Sequence, residues 1–208
     1  MRVKIKGIEQ LYQLYLKEGE KLTTEQIEQN KEKILTLLCG IDRPNIMNVV
    51  YFLEESDYFT VPASKKYHGN YTGGLAEHSL NLYELFHERN LKLSHGLPEA
   101  SVIICSILHD LCKVGLYAEI ENEVYTIADQ PGNRAHALLS IERINATGFE
   151  LTEREFSIMK FHMGVFGAFQ TRPREIQEFT PEELRKAIEK DFMVQVFASC
   201  DTEESHSV

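Results

Sequence analysis

Apolar residues recur along this chain at helical spacing, in runs separated by short polar breaks. Residues 7–18 and 24–39 read as helices, the second capped by Thr23 or Thr24 with Glu and Gln soon after. Pro44 opens a third, Asn45 to Glu55, whose Ile46, Val49, Val50, Phe52 and Leu53 form one broad apolar face. Phe59 to Gly74 carries Pro62, Ser64, Lys65, Lys66 and the run Tyr-His-Gly-Asn-Tyr-Thr-Gly-Gly, the composition of a loop. Gly73-Gly74 then turns the chain into a helix from Leu75 to Leu93, with Leu75, Leu82, Leu85 and Phe86 inward. Pro98 suits the first turn of the next helix, which the pattern extends to about Cys112. Two short runs, Leu116–Ile120 and Val124–Ile127, flank Glu121-Asn122-Glu123 and predict a small β-hairpin. Helices resume over 132–146, 152–164 and 181–201, the last two opening on Thr152-Glu-Arg-Glu155 and Thr180-Pro-Glu-Glu183. Gly164 to Thr180 has weak periodicity and reads as a long loop containing Phe166, Phe169, Arg172 and Arg174. The expected fold class is therefore all-α with one small hairpin.

Composition refines this picture. With 208 residues, 43% of them hydrophobic and 26% charged, the chain can bury one core, and disorder is not expected. No repeat or Pro/Gly-rich linker divides it; residues 1–60 read as a helical extension on a unit spanning 61–208. That extension covers the core or forms a homodimer surface. The formal net charge of −10 repels polyphosphate backbones, which argues against extended duplex nucleic acid as partner. It leaves room for one small phosphorylated substrate, because a bound dication inverts the local field. The four cysteines show no CxxC pairing; Cys105 and Cys112 read as reduced core residues. Met-Arg-Val-Lys-Ile-Lys at the start lacks an apolar signal region, and no apolar run approaches ~18 residues. The expected location is the cytoplasm, away from membranes.

The chemistry concentrates on histidine and aspartate. His109 and Asp110 end the apolar run Ser101-Val-Ile-Ile-Cys-Ser-Ile-Leu-His-Asp-Leu-Cys-Lys113, where a polar pair is costly unless something satisfies it. His78, His136, His162 and Asp201 border other apolar helical faces. Imidazole and carboxylate together bind first-row divalent metals, and packed helices can converge such ligands on one core site. Lys113, one turn beyond the pair, is placed to reach a bound phosphate. His87, His95 and His206 sit in polar contexts and read as surface residues.

Here the residues match a family. The order His78 … His109-Asp110 … Asp201, with Gly73-Gly74-Leu-Ala-Glu-His78, Ile107-Leu-His-Asp-Leu-Cys-Lys113 and Ala198-Ser-Cys-Asp201, resembles the HD superfamily of metal-dependent phosphohydrolases. The resemblance spans roughly Lys65 to Asp201, and Tyr67 to Gly74 is similar to the HD module of certain 3′→5′ exoribonucleases. It implies an HD-domain helical bundle with a first ion on His78, His109, Asp110 and Asp201. His136 and His162 resemble the HD branches that hold a second ion, which would share Asp110. Met163 stands where cyclic-dinucleotide phosphodiesterases of the HD-GYP type carry a further histidine.

The reading is hydrolysis of a phosphoester of a nucleotide or short phosphodiester by a metal-activated water, with Asp110, Lys113 and His68 catalytic. His68 is expected to act as general acid or phosphate donor with a near-neutral pKa. Lys66, Arg172 and Arg174 are candidates for substrate contact. Mixed nitrogen and oxygen ligands suit manganese, iron, nickel, cobalt or zinc, as one or two ions, with magnesium less at home. The alternatives are a 3′→5′ nuclease on single strands, or a non-catalytic metal- or nucleotide-binding regulatory module.

Overall fold

A computed structural model describes residues 22–64, 68–120, 124–127, 136–168 and 178–206. The expected helix at 7–18 lies outside these residues, as do Lys65, Lys66, Phe169, Arg172 and Arg174. The described architecture is helical apart from one strand pair: α1 (Thr24–Cys39), α2 (Ile46–Glu55), α3 (Gly74–Leu91), α4 (Glu99–Leu108), α5 (His136–Ala146), α6 (Glu153–Lys160), α7 (Gly164–Ala168), α8 (Pro181–Lys190) and α9 (Met193–Glu204). A 3₁₀ turn, Leu111–Lys113, follows α4. Strands β1 (Tyr117–Ile120) and β2 (Val124–Ile127) pair antiparallel, Tyr117 opposite Ile127 and Ile120 opposite Val124. No helix among the described residues is long and apolar enough to cross a membrane.

Local chemistry fixes several helix starts. Thr23, Thr152 and Thr180 each close a capping box, with Gln26, Glu155 and Glu183 three residues on. Gly73 enters α3 with φ +85°, a region that disfavours side chains. Gly74 packs so tightly on the preceding loop that a Cβ there would stand 2.1 Å from the Gly69 carbonyl oxygen. The glycine pair thus locks the His68 loop onto the start of α3.

α4 is the centre of the fold. All eight residues from Ser101 to Leu108 are buried. α3 packs along it, α1 covers both, and α9 lies across α3 with Phe197 edge-on to Phe86 at 4.9 Å between ring centroids. The core takes in Ile34, Leu38, Val49 and Leu53 together with Ile104, Ile107, Ile158 and Phe197, so residues on both sides of position 60 share it. A buried carboxylate ties the far end together: Glu155 accepts from Arg43 (2.6 Å), Ser101 (2.7 Å) and the Thr152 amide (2.7 Å).

Three expected elements differ. α4 ends at Leu108 rather than near Cys112, because the chain leaves helical geometry at Asp110 (φ −106°, ψ 24°) and tightens into the 3₁₀ turn. The helix expected over 152–164 stops at Lys160, turns through Phe161–Met163 and restarts as α7, inside the stretch read as loop. The helix expected over 181–201 is two helices. Asp191 breaks it, turning its carboxylate to Arg154 and to the Met193 amide.

Candidate metal centre

The end of α4 delivers His109 and Asp110 into the interior, 0% and 6% exposed. Arg143 of α5 donates to the carbonyls of Leu111 and Val114, and Ser140, one turn after His136, accepts from the Cys112 amide at 3.0 Å. α5 therefore clasps the Asp110 turn through the same face that carries His136. α3 contributes His78, the turn after α6 contributes His162, and α9 contributes Asp201, all buried.

Four imidazoles converge on Asp110. Nε2 of His78 lies 3.2 Å from Nε2 of His109. Nε2 of His136 lies 3.0 Å from Nε2 of His162. The first pair adjoins Asp201 Oδ1, 3.3 Å from His78 and 3.8 Å from His109, and Asp110 Oδ2, 3.6 Å from His109. The second pair faces the other oxygen, Asp110 Oδ1, at 4.0 Å from His136 and 3.9 Å from His162. Two half-sites thus share one carboxylate, each half facing its own oxygen.

The remaining ring nitrogens are all occupied. Nδ1 of His109 meets the Ser106 carbonyl at 2.9 Å and Nδ1 of His162 meets the Met159 carbonyl at 2.7 Å. Nδ1 of His78 meets the Glu204 carboxylate, and Nδ1 of His136 that of Glu178. An acceptor at Nδ1 puts the proton there and aims the Nε2 lone pair inward, the arrangement that orients metal-ligating imidazoles.

Electrostatics follow the same division. Burial and the adjacent imidazolium positions push His109 down to about 4, despite Asp110 and Asp201. Burial also works against the charged form of His78, but hydrogen bonds to Asp201 and Glu204 outweigh it and lift the ring to about 10. His162 is lowered by burial and by His136; His136 is raised because Glu178 overcomes its burial. In each half-site one ring is raised and the ring facing it is lowered. Asp110 and Asp201 are buried, yet the surrounding cations hold both below the usual carboxylate range.

These residues fit a metal ion. Ligand atoms about 2.0–2.2 Å from one ion stand roughly 3 to 3.5 Å apart, close to the separations within both histidine pairs. Three groups could hold an ion by ligand-atom proximity: His78, His109 and Asp110; Asp110, His136 and His162; and His68, His78 and Glu204. In the third, Nδ1 of His78 is already held by Glu204, so it serves as the outer support of the first.

The other expected site residues divide. The Lys113 ammonium donates to the Ala63 carbonyl and lies 3.3 Å from Asp110 Oδ2, so it is committed to the aspartate rather than extended toward a substrate. Burial disfavours its charge, but Asp110 keeps its pKa raised. His68 stacks near His78, ring centroids 4.7 Å apart, with Nε2 3.4 Å from Ser205 Oγ. Burial foremost, then His78 and Lys113, push it down to about 4. The near-neutral titration expected of His68 is not what its surroundings give; it is a neutral hydrogen-bonding group. Glu178 and Glu204 were missed. Nothing in the local sequence separates them from the other acidic residues of this chain, and only tertiary contact reveals them.

Comparison of the chain with protein-family models, with curated proteins and with solved structures finds no match.

Proposed function

We propose that this chain is a metal-dependent phosphohydrolase of the HD superfamily, acting on a phosphoester of a nucleotide or short phosphodiester. The observation that carries the reading is the convergence of four Nε2 atoms on the two oxygens of Asp110, each ring fixed through its Nδ1. His78, His109, Asp110 and Asp201 would hold one divalent ion; Asp110, His136 and His162 would hold a second. When bound, such ions supply Lewis-acid polarisation of a phosphoryl oxygen and lower the pKa of water. Mixed imidazole and carboxylate donors favour manganese, iron, cobalt, nickel or zinc over magnesium.

The chain's own residues prepare the reaction. Asp110 turns one oxygen toward each histidine pair. Lys113, 3.3 Å from that carboxylate, offsets part of its charge and holds it in place. His68, neutral and beside His78, offers a hydrogen bond to a phosphoryl oxygen. His136 is the most open ligand, its side chain 31% exposed against 1% for His162, and marks the side from which substrate enters. The net charge of −10 disfavours long nucleic acids and leaves small phosphorylated molecules as the substrate class.

The test is metal content together with turnover of bis-p-nitrophenyl phosphate and nucleotides, for wild type, Asp110→Ala and His136→Ala. Wild type should carry about two ions and His136→Ala about one, while Asp110→Ala loses both ions and turnover. Asp110→Ala retaining metal and activity would refute the proposal.

A further inference from the structure

Glu178 stands outside both half-sites, yet His136 is set against it. Its Oε1 meets Nδ1 of His136, while Oε2 is buried without a hydrogen-bond partner among the described residues. His109 and His162 each use the carbonyl three residues back, within or at the end of a helix. For His136 the partner of Nδ1 among the described residues is instead the carboxylate of Glu178.

Glu178 is itself placed by the structure that carries His162. Its amide donates to the Gly167 carbonyl at 2.9 Å. The next residue, Phe179, is buried and packs edge-on against Phe161, 4.7 Å between centroids, and Phe161 immediately precedes His162. Gly167 makes this approach possible, since a Cβ there would stand 2.6 Å from Phe179 Cζ. One packed unit thus sets His162 directly and His136 through Glu178, bringing their Nε2 atoms to 3.0 Å.

We infer that Glu178 is the positioning residue of the second half-site: its carboxylate holds Nδ1 of His136 so that Nε2 faces His162, and binding of the second ion, but not of the first, depends on it. The inference rests on the metal-binding reading above. An acceptor behind a ligating imidazole fixes ring orientation and raises its basicity, and loss of such partners weakens metal binding about 10- to 100-fold.

The experiment is calorimetric titration of chelator-stripped protein with Mn²⁺, with Co²⁺ uptake followed by visible absorption, for wild type, Glu178→Gln, Glu178→Ala and His136→Ala. Gln keeps an acceptor but removes the charge, and should weaken the second equivalent about 10-fold. Ala removes both, and should weaken it about 100-fold, leaving a single equivalent that matches His136→Ala in affinity and Co²⁺ spectrum. If Glu178→Ala does not fold, Glu178→Gln decides. An unmoved second equivalent in the folded variants overturns the assignment. So does equal weakening of both equivalents, the signature of a merely structural role. Wild type binding fewer than two ions overturns the second half-site itself, and this assignment with it.

Discussion

Replacing Asp110 by Asn in chelator-stripped protein leaves the Lys113 ammonium with the Ala63 carbonyl but without the anion that stood 3.3 Å away. At that separation, with an effective dielectric constant near 20, the pair's Coulomb energy is about 5 kcal/mol. The carbonyl and the desolvation of both partners offset part of it, so breaking the pair should destabilise the fold by about 3 kcal/mol. The histidines around Asp110 respond differently, because an imidazole sheds its proton far more readily than the Lys113 ammonium. Lys113→Met should cost about as much by stranding the carboxylate, whose side chain is 8% exposed. The double variant strands neither charge. It should cost about 3 kcal/mol in total rather than about 6, a coupling of about 3 kcal/mol. Urea unfolding at pH 7 in chelator, followed by far-UV circular dichroism, measures all four corners of the cycle. Additivity within about 0.5 kcal/mol would refute the pairing. The same proteins separate ligand from counterion: Lys113→Met should still take up metal, and Asp110→Asn should not.

Three further outcomes follow from the packing. Gly74→Ala should destabilise the fold by about 3 kcal/mol in chemical denaturation, since its Cβ meets the Gly69 carbonyl oxygen at 2.1 Å and must part the His68 loop from α3. Tyr58→Phe removes the donor to the Ile107 carbonyl at 2.7 Å, and should lower stability by about 1–2 kcal/mol with metal stoichiometry unchanged by elemental analysis. Asp191→Asn tests a pH dependence. Burial pushes the Asp191 carboxyl up, but Arg154 and the Met193 amide hold it below its ordinary value. Its contribution is therefore complete above the unfolded pKa of about 3.9 and lost as pH falls through the lower folded value. Thermal melts should show the variant less stable by about 1 kcal/mol at pH 7, with the gap closing at the acid end.

The helical pattern was legible where burial is one-sided. Apolar faces gave α1, α2 and α3 to within a residue or two, and threonine caps marked α6 and α8. The pattern failed where tertiary contacts bend a continuous run. Lys190-Asp191-Phe192-Met193 contains no Gly or Pro, and only the Arg154 guanidinium across the fold reveals the break. Ile107 to about Cys112 reads as helix throughout, because the periodicity cannot register the backbone change at Asp110. The inner members of the candidate site were legible for a physical reason: histidine and aspartate on apolar faces are anomalous and invite explanation. Glu178 and Glu204 are not anomalous, since glutamate is common on solvated surfaces, and their burial arises only when distant elements meet.

The four imidazoles divide by the origin of what holds them. His109 and His162 are held by carbonyls three residues earlier, contacts that exist as soon as one helical turn forms. His78 waits for Glu204, 126 positions away, and His136 for Glu178. Each half-site therefore joins a ring oriented by local chain order to one oriented by long-range closure. On the metal-binding proposal, ion affinity becomes a gauge of folding progress: a partly assembled chain would present single imidazoles that grip weakly, and full affinity would arrive only with the last docking events. The ion would then act as a latch on the slowest steps of assembly, stabilising the finished chain by mass action while giving its precursors little.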